Sequence, residues 1–177
     1  VFFYYGARQN RYELECARFH CSELDVKLTV VDLKSVFAFS NRALLTGEIK
    51  DCDKKEQPEN IVPFRNGIFL SVAASYADTK GLKKIFYAPV NNGYTTYPDA
   101  SYNFINSMNH STYYGTINKI MISTPFSELD KWVVRKMGQE LKINLDKTYS
   151  CYRGDKIPCG KCEACVERKI AFEYEGQ

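Results

Sequence analysis

The sequence predicts an α/β fold with a largely parallel sheet and helices on both faces. Two observations predict it. Short β-branched or aromatic runs alternate with stretches of helical period along the whole chain. With 177 residues, 45% hydrophobic and 25% charged, the chain has the size and composition of a folded domain with its own core.

The elements follow in order. Val1-Phe2-Phe3-Tyr4-Tyr5 is a short apolar run that stops at Gly6 and reads as a buried strand. From Tyr12 to Leu24, the apolar residues Leu14, Ala17, Cys21 and Leu24 recur at helical spacing, which predicts a helix with one buried face. Leu28-Thr29-Val30-Val31 is β-branched and reads as the second strand. Residues Asn41 to Asn60 are polar and charged and read as a long surface loop, with Cys52 exposed in it. Gly67 to Lys80 is apolar around most of its circumference, which predicts a central buried helix stopped by Gly81. Lys84 to Val90 is the next strand, and Asn91 to Pro98 a loop. Asp99 or Ser101 caps a helix to about Met108, and Lys119 to Ser123 is a further strand. Ser127-Glu128-Leu129-Asp130 has the form of a capping box and predicts a helix to about Gly138. Glu163 to Glu173 closes the chain as a helix. In such sheets ligands bind beyond the C-terminal ends of the strands, which singles out the loops after Tyr5 and Val90.

Composition narrows the function classes. A formal net charge of +3 with scattered Lys and Arg gives no argument for direct nucleic-acid binding. The sequence shows no secretory signal and no apolar run of membrane-spanning length, so a soluble cytoplasmic protein is expected. The first residue is Val, so the chain reads as a fragment or a processed product. Seven cysteines, four of them crowded near the C-terminus, fit a metal site and not a secreted disulfide framework.

Those four carry the strongest motif: Ser150-Cys151-Tyr152, then Pro158-Cys159-Gly160-Lys161-Cys162-Glu163-Ala164-Cys165. Two residues between cysteines let both sulfurs reach one tetrahedral ion, and Gly160 permits the tight turn between them. Four thiolates fill every zinc position, so the expected ion is structural zinc held by Cys151, Cys159, Cys162 and Cys165. An iron–sulfur cluster or free thiols are the alternatives. In Val62-Pro63-Phe64-Arg65-Asn66, Asn66 either merely begins a helix or accompanies an Arg65 that reaches a phosphate or carboxylate. In Tyr94-Thr95-Thr96-Tyr97-Pro98-Asp99, Asp99 either caps a helix or accepts from the amino and imino edge of a guanine-like ring stacked on Tyr97. His20 and His110 are isolated, and no nucleophile elbow or Walker-type lysine loop is present.

Taken together, Tyr5-Gly6-Ala7-Arg8, Glu13-Leu14-Glu15-Cys16-Ala17-Arg18, Val62-Pro63-Phe64-Arg65-Asn66-Gly67-Ile68-Phe69-Leu70-Ser71, Tyr97-Pro98-Asp99 and the cysteine motif resemble, in order, the 7-cyano-7-deazaguanine synthases. That family of the queuosine pathway belongs to the zinc-containing nucleotide-pyrophosphatase-loop ligases. The resemblance runs from about Val1 to about Phe172. It implies an adenine nucleotide alpha hydrolase-like α/β domain over 1–148 and a zinc-binding segment with a final helix over 149–177. It also implies ATP-dependent conversion of 7-carboxy-7-deazaguanine to 7-cyano-7-deazaguanine (preQ0) with ammonia. Tyr5, Gly6 and Arg8 fall on the nucleotide side, and Tyr97, Asp99, Arg65 and Asn66 on the base side. No catalytic residue is assigned. A homodimer is an open expectation.

The sequence departs from the family pattern at two places. The family opens with a strand, a Ser-Gly-Gly-x-Asp-Ser loop and a helix, whereas Val1 aligns with its second strand. ATP with magnesium is therefore the expected cosubstrate where that loop is present. The family also shows Asp, Cys and Arg where this chain has Gly93, Ala100 and Ser101. These departures leave three readings open: the nitrile synthase, a non-catalytic relative that binds a deazaguanine or a partner protein, and a divergent ligase with another acceptor.

Overall fold

The structure, a computed structural model, describes residues 1–52, 58–90 and 97–174. It is an α/β fold whose strands pair in parallel and are flanked by helices. The chain forms two compact units, one of Val1–Val62 with Trp132–Gln177 and one of Pro63–Lys131.

In the first unit, β1 (Phe2–Tyr4) pairs in parallel with β2 (Val30–Asp32), Phe3 opposite Val31. Parallel neighbours need a crossover, and α1 (Asn10–Glu23) supplies it. The core contains Tyr5, Leu33, Phe37 and Leu44, with Phe37 edge-on to Tyr5 at 5.6 Å between ring centres. α4 (Lys131–Glu140) and α5 (Glu163–Glu173) complete the unit. Arg135 of α4 donates from Nη2 to the Tyr174 carbonyl at 2.8 Å and from Nε to Ala171 at 3.2 Å. A cation at a helix C-terminus offsets the negative end of its dipole. α1 docks through Tyr12, stacked on Tyr149 at 4.9 Å.

In the second unit, β3 (Lys84–Phe86) pairs in parallel with β4 (Met121–Ser123), crossed over by α3 (Tyr102–Gly115). Thr112 of α3 donates to the carbonyl of Ile120, which is fully buried, and Asn109 accepts from the Ile122 amide at 2.7 Å. α2 (Arg65–Thr79) buries Gly67, Leu70, Ala74 and Ala77. Its end is a Schellman motif: the Leu82 amide donates to Ala77 and the Gly81 amide to Asp78, with Gly81 at φ 67°.

Several expectations change. β3 stops at Phe86 and not at Val90, and Cys52 is half-buried, its amide held by the Lys161 carbonyl. α2 is not apolar-buried all round; its buried residues form one stripe at helical spacing, and the other side chains are half-buried or exposed. α3 runs seven residues past Met108, to Gly115. α4 starts at Lys131, because the Ser127 hydroxyl turns back to the Thr124 carbonyl at 3.1 Å and closes a turn of its own. The segment after Asn41 is not merely a surface loop: Ala43, Leu44 and Ile49 are buried in its described part. Its central charged residues, 53–57, lie outside the described residues, as do 91–96 and with them Gly93.

Candidate functional site

The C-terminal cysteines converge. The sulfurs of Cys151, Cys159, Cys162 and Cys165 all lie within 4.8 Å of one another. Bonds of about 2.3 Å to a tetrahedral ion put ligand sulfurs roughly 3.8 Å apart, so the cluster fits one metal ion. Cys151 and Cys162 are fully buried, Cys165 nearly so, and Cys159 half-buried.

Backbone geometry builds this cluster. Gly160, at φ 72°, makes the knuckle turn that only a residue without Cβ adopts at little cost. The turn aims amides at sulfur: Lys161 and Cys162 donate to Cys159 Sγ at 3.5 and 3.3 Å. Cys159 donates to Cys151 Sγ and Tyr152 to Cys162 Sγ, both at 3.4 Å. Such donors stabilise thiolate, the form that binds metal. Burial works to raise the Cys159 pKa, but hydrogen bonds from the amides of Lys161 and Cys162 and with the Cys151 and Cys162 side chains together bring the thiol down to about 7. Burial instead pushes the Cys162 and Cys165 thiols up. Among the described residues this is the one group of three or more Cys, His, Asp or Glu placed to share an ion.

The loop after β1 sits beside this segment. Tyr5 and Ala7 donate their amides to Oδ1 of Asn10, at 2.9 and 3.1 Å, while Asn10 Nδ2 donates to Glu13 at 3.0 Å. A buried Asn thus clamps a turn in which Gly6 adopts φ 89°. Arg8 donates from Nη2 to the Gly47 carbonyl at 2.5 Å and to Thr46 at 3.4 Å, and its amide reaches Leu44 at 3.3 Å. Gly154, at φ 69°, packs so closely on Arg8 that a Cβ there would stand 2.6 Å from the Arg8 carbonyl carbon.

In the second unit, Arg65, Asn66 and Asp99 come together at the start of α2. Phe64, at φ 52°, precedes the helix without capping it through its side chain. The cap comes from Asp99, whose Oδ2 accepts the Asn66 amide at 2.9 Å. Asn66 Nδ2 returns to the Asp99 carbonyl at 3.4 Å, and Tyr87 Oη donates to that carbonyl at 3.2 Å. Asp99 is 8% exposed, and its carboxylate sits at the positive end of the α2 dipole. Burial and then the Asp99 charge push the Tyr87 phenol up to about 12, with Arg65 opposing. Tyr97 begins the tight 98–100 turn and accepts the Ala100 amide at 2.9 Å. Ser101 caps α3, its Oγ accepting from the Phe104 amide at 3.2 Å.

A family model described as "Queuosine biosynthesis protein QueC" matches residues 1–176. The chain belongs to the QueC family. Similar QueC relatives carry the name 7-cyano-7-deazaguanine synthase. The one from Porphyromonas gingivalis (strain ATCC 33277) is 35% identical, over 98% of this chain and 85% of its own length. One from Methanococcus maripaludis (strain C7) is 37% identical over 99% and 83%. One from Campylobacter fetus is 36% identical over 97% and 79%. At the family level this is a ligase-type enzyme. Among the described residues no helix is long and apolar enough to cross a membrane.

Within this QueC chain, sequence reasoning missed Asn10, Gly154 and the buried pair of Asn60 and Glu163, in which Nδ2 donates to Oε2 at 2.9 Å across 103 residues. Glu163 was legible as a helix start, but its distant partner was not. Asn10 had a local signal: an Asn just after a Gly turn and before a helical period.

Proposed function

We propose that the protein acts in the ATP-dependent conversion of 7-carboxy-7-deazaguanine to 7-cyano-7-deazaguanine with ammonia. One observation carries the reading: relatives aligned over nearly the whole chain bear that synthase's name. A carboxylate resists ammonia until one of its oxygens becomes a good leaving group. In the proposed sequence the substrate carboxylate attacks the α-phosphorus of ATP and pyrophosphate leaves. Ammonia then attacks the acyl carbon, expelling AMP and leaving an amide. The amide oxygen then attacks the α-phosphorus of a second ATP, pyrophosphate leaves, and the oxygen departs as AMP while the nitrogen gives up its two protons.

On this reading Tyr97 stacks on the deazaguanine, Asp99 accepts from its N–H edge, and Arg65 and Asn66 face its carboxylate side. A carboxylate offers about four acceptor positions, of which Asn66 uses one. Tyr5, Gly6 and Arg8 lie on the nucleotide side, and magnesium accompanies ATP. Zinc in the cysteine cluster is structural, because four thiolates leave no open position. Residues 149–177 form the zinc segment and 1–148 the ligase-like domain. ATP supply and reduced thiols suit the cytoplasm.

A second reading, a non-catalytic or divergent relative that binds a deazaguanine or a partner protein, is favoured by Ser101. Where the family shows Arg, this residue is engaged in capping α3. Calorimetry with 7-carboxy-7-deazaguanine and a coupled AMP assay on the native full-length protein separate the two. The synthase forms AMP only with the carboxylated base present, and Asp99→Asn weakens base binding far more than ATP binding. A buried carboxylate discriminates in this way because a missing donor leaves its charge unpaired. Failure of every deazaguanine to bind overturns the proposal. Binding without AMP formation supports the second reading.

A further inference from the structure

We infer that Arg153 and Glu163, neither of them a metal ligand, are positioning residues that carry the order of the metal-bound cysteine knuckle into residues 41–52 and 58–62 and the loop of Arg8. The inference rests on the metal reading of the cluster and goes beyond it.

Four links, all within the first unit, support it. Arg153 Nη2 pairs with Asp51 and donates to the Ile49 carbonyl at 3.3 Å. The Cys52 amide donates to the carbonyl of Lys161, inside the knuckle, at 2.8 Å. Glu163, the first residue of α5 and next to Cys162, accepts from buried Asn60 at 2.9 Å. Gly154 lies against the Arg8 backbone, and Arg8 holds the carbonyls of Thr46 and Gly47.

The described part of this segment has no α-helix and no strand, only a turn on the Arg42 carbonyl and a short turn at Pro58–Asn60. Its order therefore depends on the contacts it makes: Ala43, Leu44 and Ile49 are buried, and the polar contacts of Ile49, Asp51, Cys52 and Asn60 lead to the knuckle. The knuckle's order in turn depends on what joins the four sulfurs. Arg153 stands two residues after Cys151 and reaches the segment through Asp51 and the Ile49 carbonyl, as partners surrounding a metal site commonly do.

Amide hydrogen exchange on the purified protein, read with metal content, tests this. Chelation should speed exchange in 150–173 and also in 5–10, 44–52 and 58–62. Arg153→Ala should loosen 44–52 and lower metal affinity by about 10- to 100-fold. Glu163→Ala should loosen 58–62, and Glu163→Gln, which keeps an acceptor for Asn60, should restore it. If Arg153→Ala does not fold, Arg153→Lys keeps the charge without the fork and should loosen 44–52 in the same way. If chelation unfolds the whole chain, these variants, which keep all four thiols, decide. Bound metal with loosening confined to 150–173, or variants that exchange like wild type over 44–52 and 58–62, overturns the inference. A wild-type protein that binds no metal rejects the metal reading itself.

Discussion

At Gly154 two requirements meet that no other residue satisfies together. Its φ of 69° costs a residue with a Cβ about 1–2 kcal/mol, and the Cβ itself would press on the Arg8 backbone. Backbone yields less readily than the tip of a flexible side chain. Gly154→Ala should therefore lower the melting temperature by more than the conformational cost alone, and a variant that melts within a degree or so of wild type would show that the Arg8 loop simply moves aside. The sequence gives no sign of this contact, because a close approach depends on a partner far along the chain. The cysteines differ: their spacing contains the chemistry, and all four stand where that spacing puts them. Asp99 lies between these cases. Its capping role was foreseen, but it caps α2, 33 residues earlier in the chain, and not its own helix.

α5 was legible to the residue, because Cys162 and Glu163 mark its start and the helical period runs unbroken to Glu173. α4 was misplaced because local hydrogen bonds of Ser127 compete with capping, and only the fold decides between them. The junction between α3 and β4 rests on another carboxylate that the sequence did not mark. Asp78 of α2 accepts from the Ile117 amide at 3.1 Å and from the Asn118 amide and side chain, both at 2.8 Å. The Asn118 amide leads the causes that hold its pKa below the ordinary aspartate value. A depressed folded pKa contributes stability above the unfolded value, and that contribution is lost as pH falls through the folded one. The stability gap between wild type and Asp78→Asn should thus hold steady above about pH 5 and close as pH falls below about 4. Urea titrations across that range measure it, and a gap independent of pH would refute the assignment.

For the molecule as a whole, the alternation of strands and helices was enough to reveal parallel pairing, since short strands joined through helices leave few other arrangements. The division of the chain into two compact units was not legible, because contacts between distant segments leave no periodic trace. Metal content is the matching property to measure. Purified protein should hold about one zinc per chain. Cys162→Ala should lose it and melt well below wild type, and chelation of wild type should reproduce the loss until zinc is restored. Iron in place of zinc would replace the structural ion with a cluster.

The first unit is built from the two ends of the chain, Val1–Val62 and Trp132–Gln177, while the second is one continuous stretch, Pro63–Lys131. On the ribosome the opening segment emerges long before the residues that complete its core. Until then Asn60, buried in the finished protein, waits without Glu163, and the Ile49 carbonyl without Arg153. The middle stretch has no such delay. Its crossover α3 and both its strands are available together, and its compaction turns a long flexible tether into a folded insert before the ends must meet. The four thiols follow the insert along the chain, so the insert can complete itself before the knuckle can close.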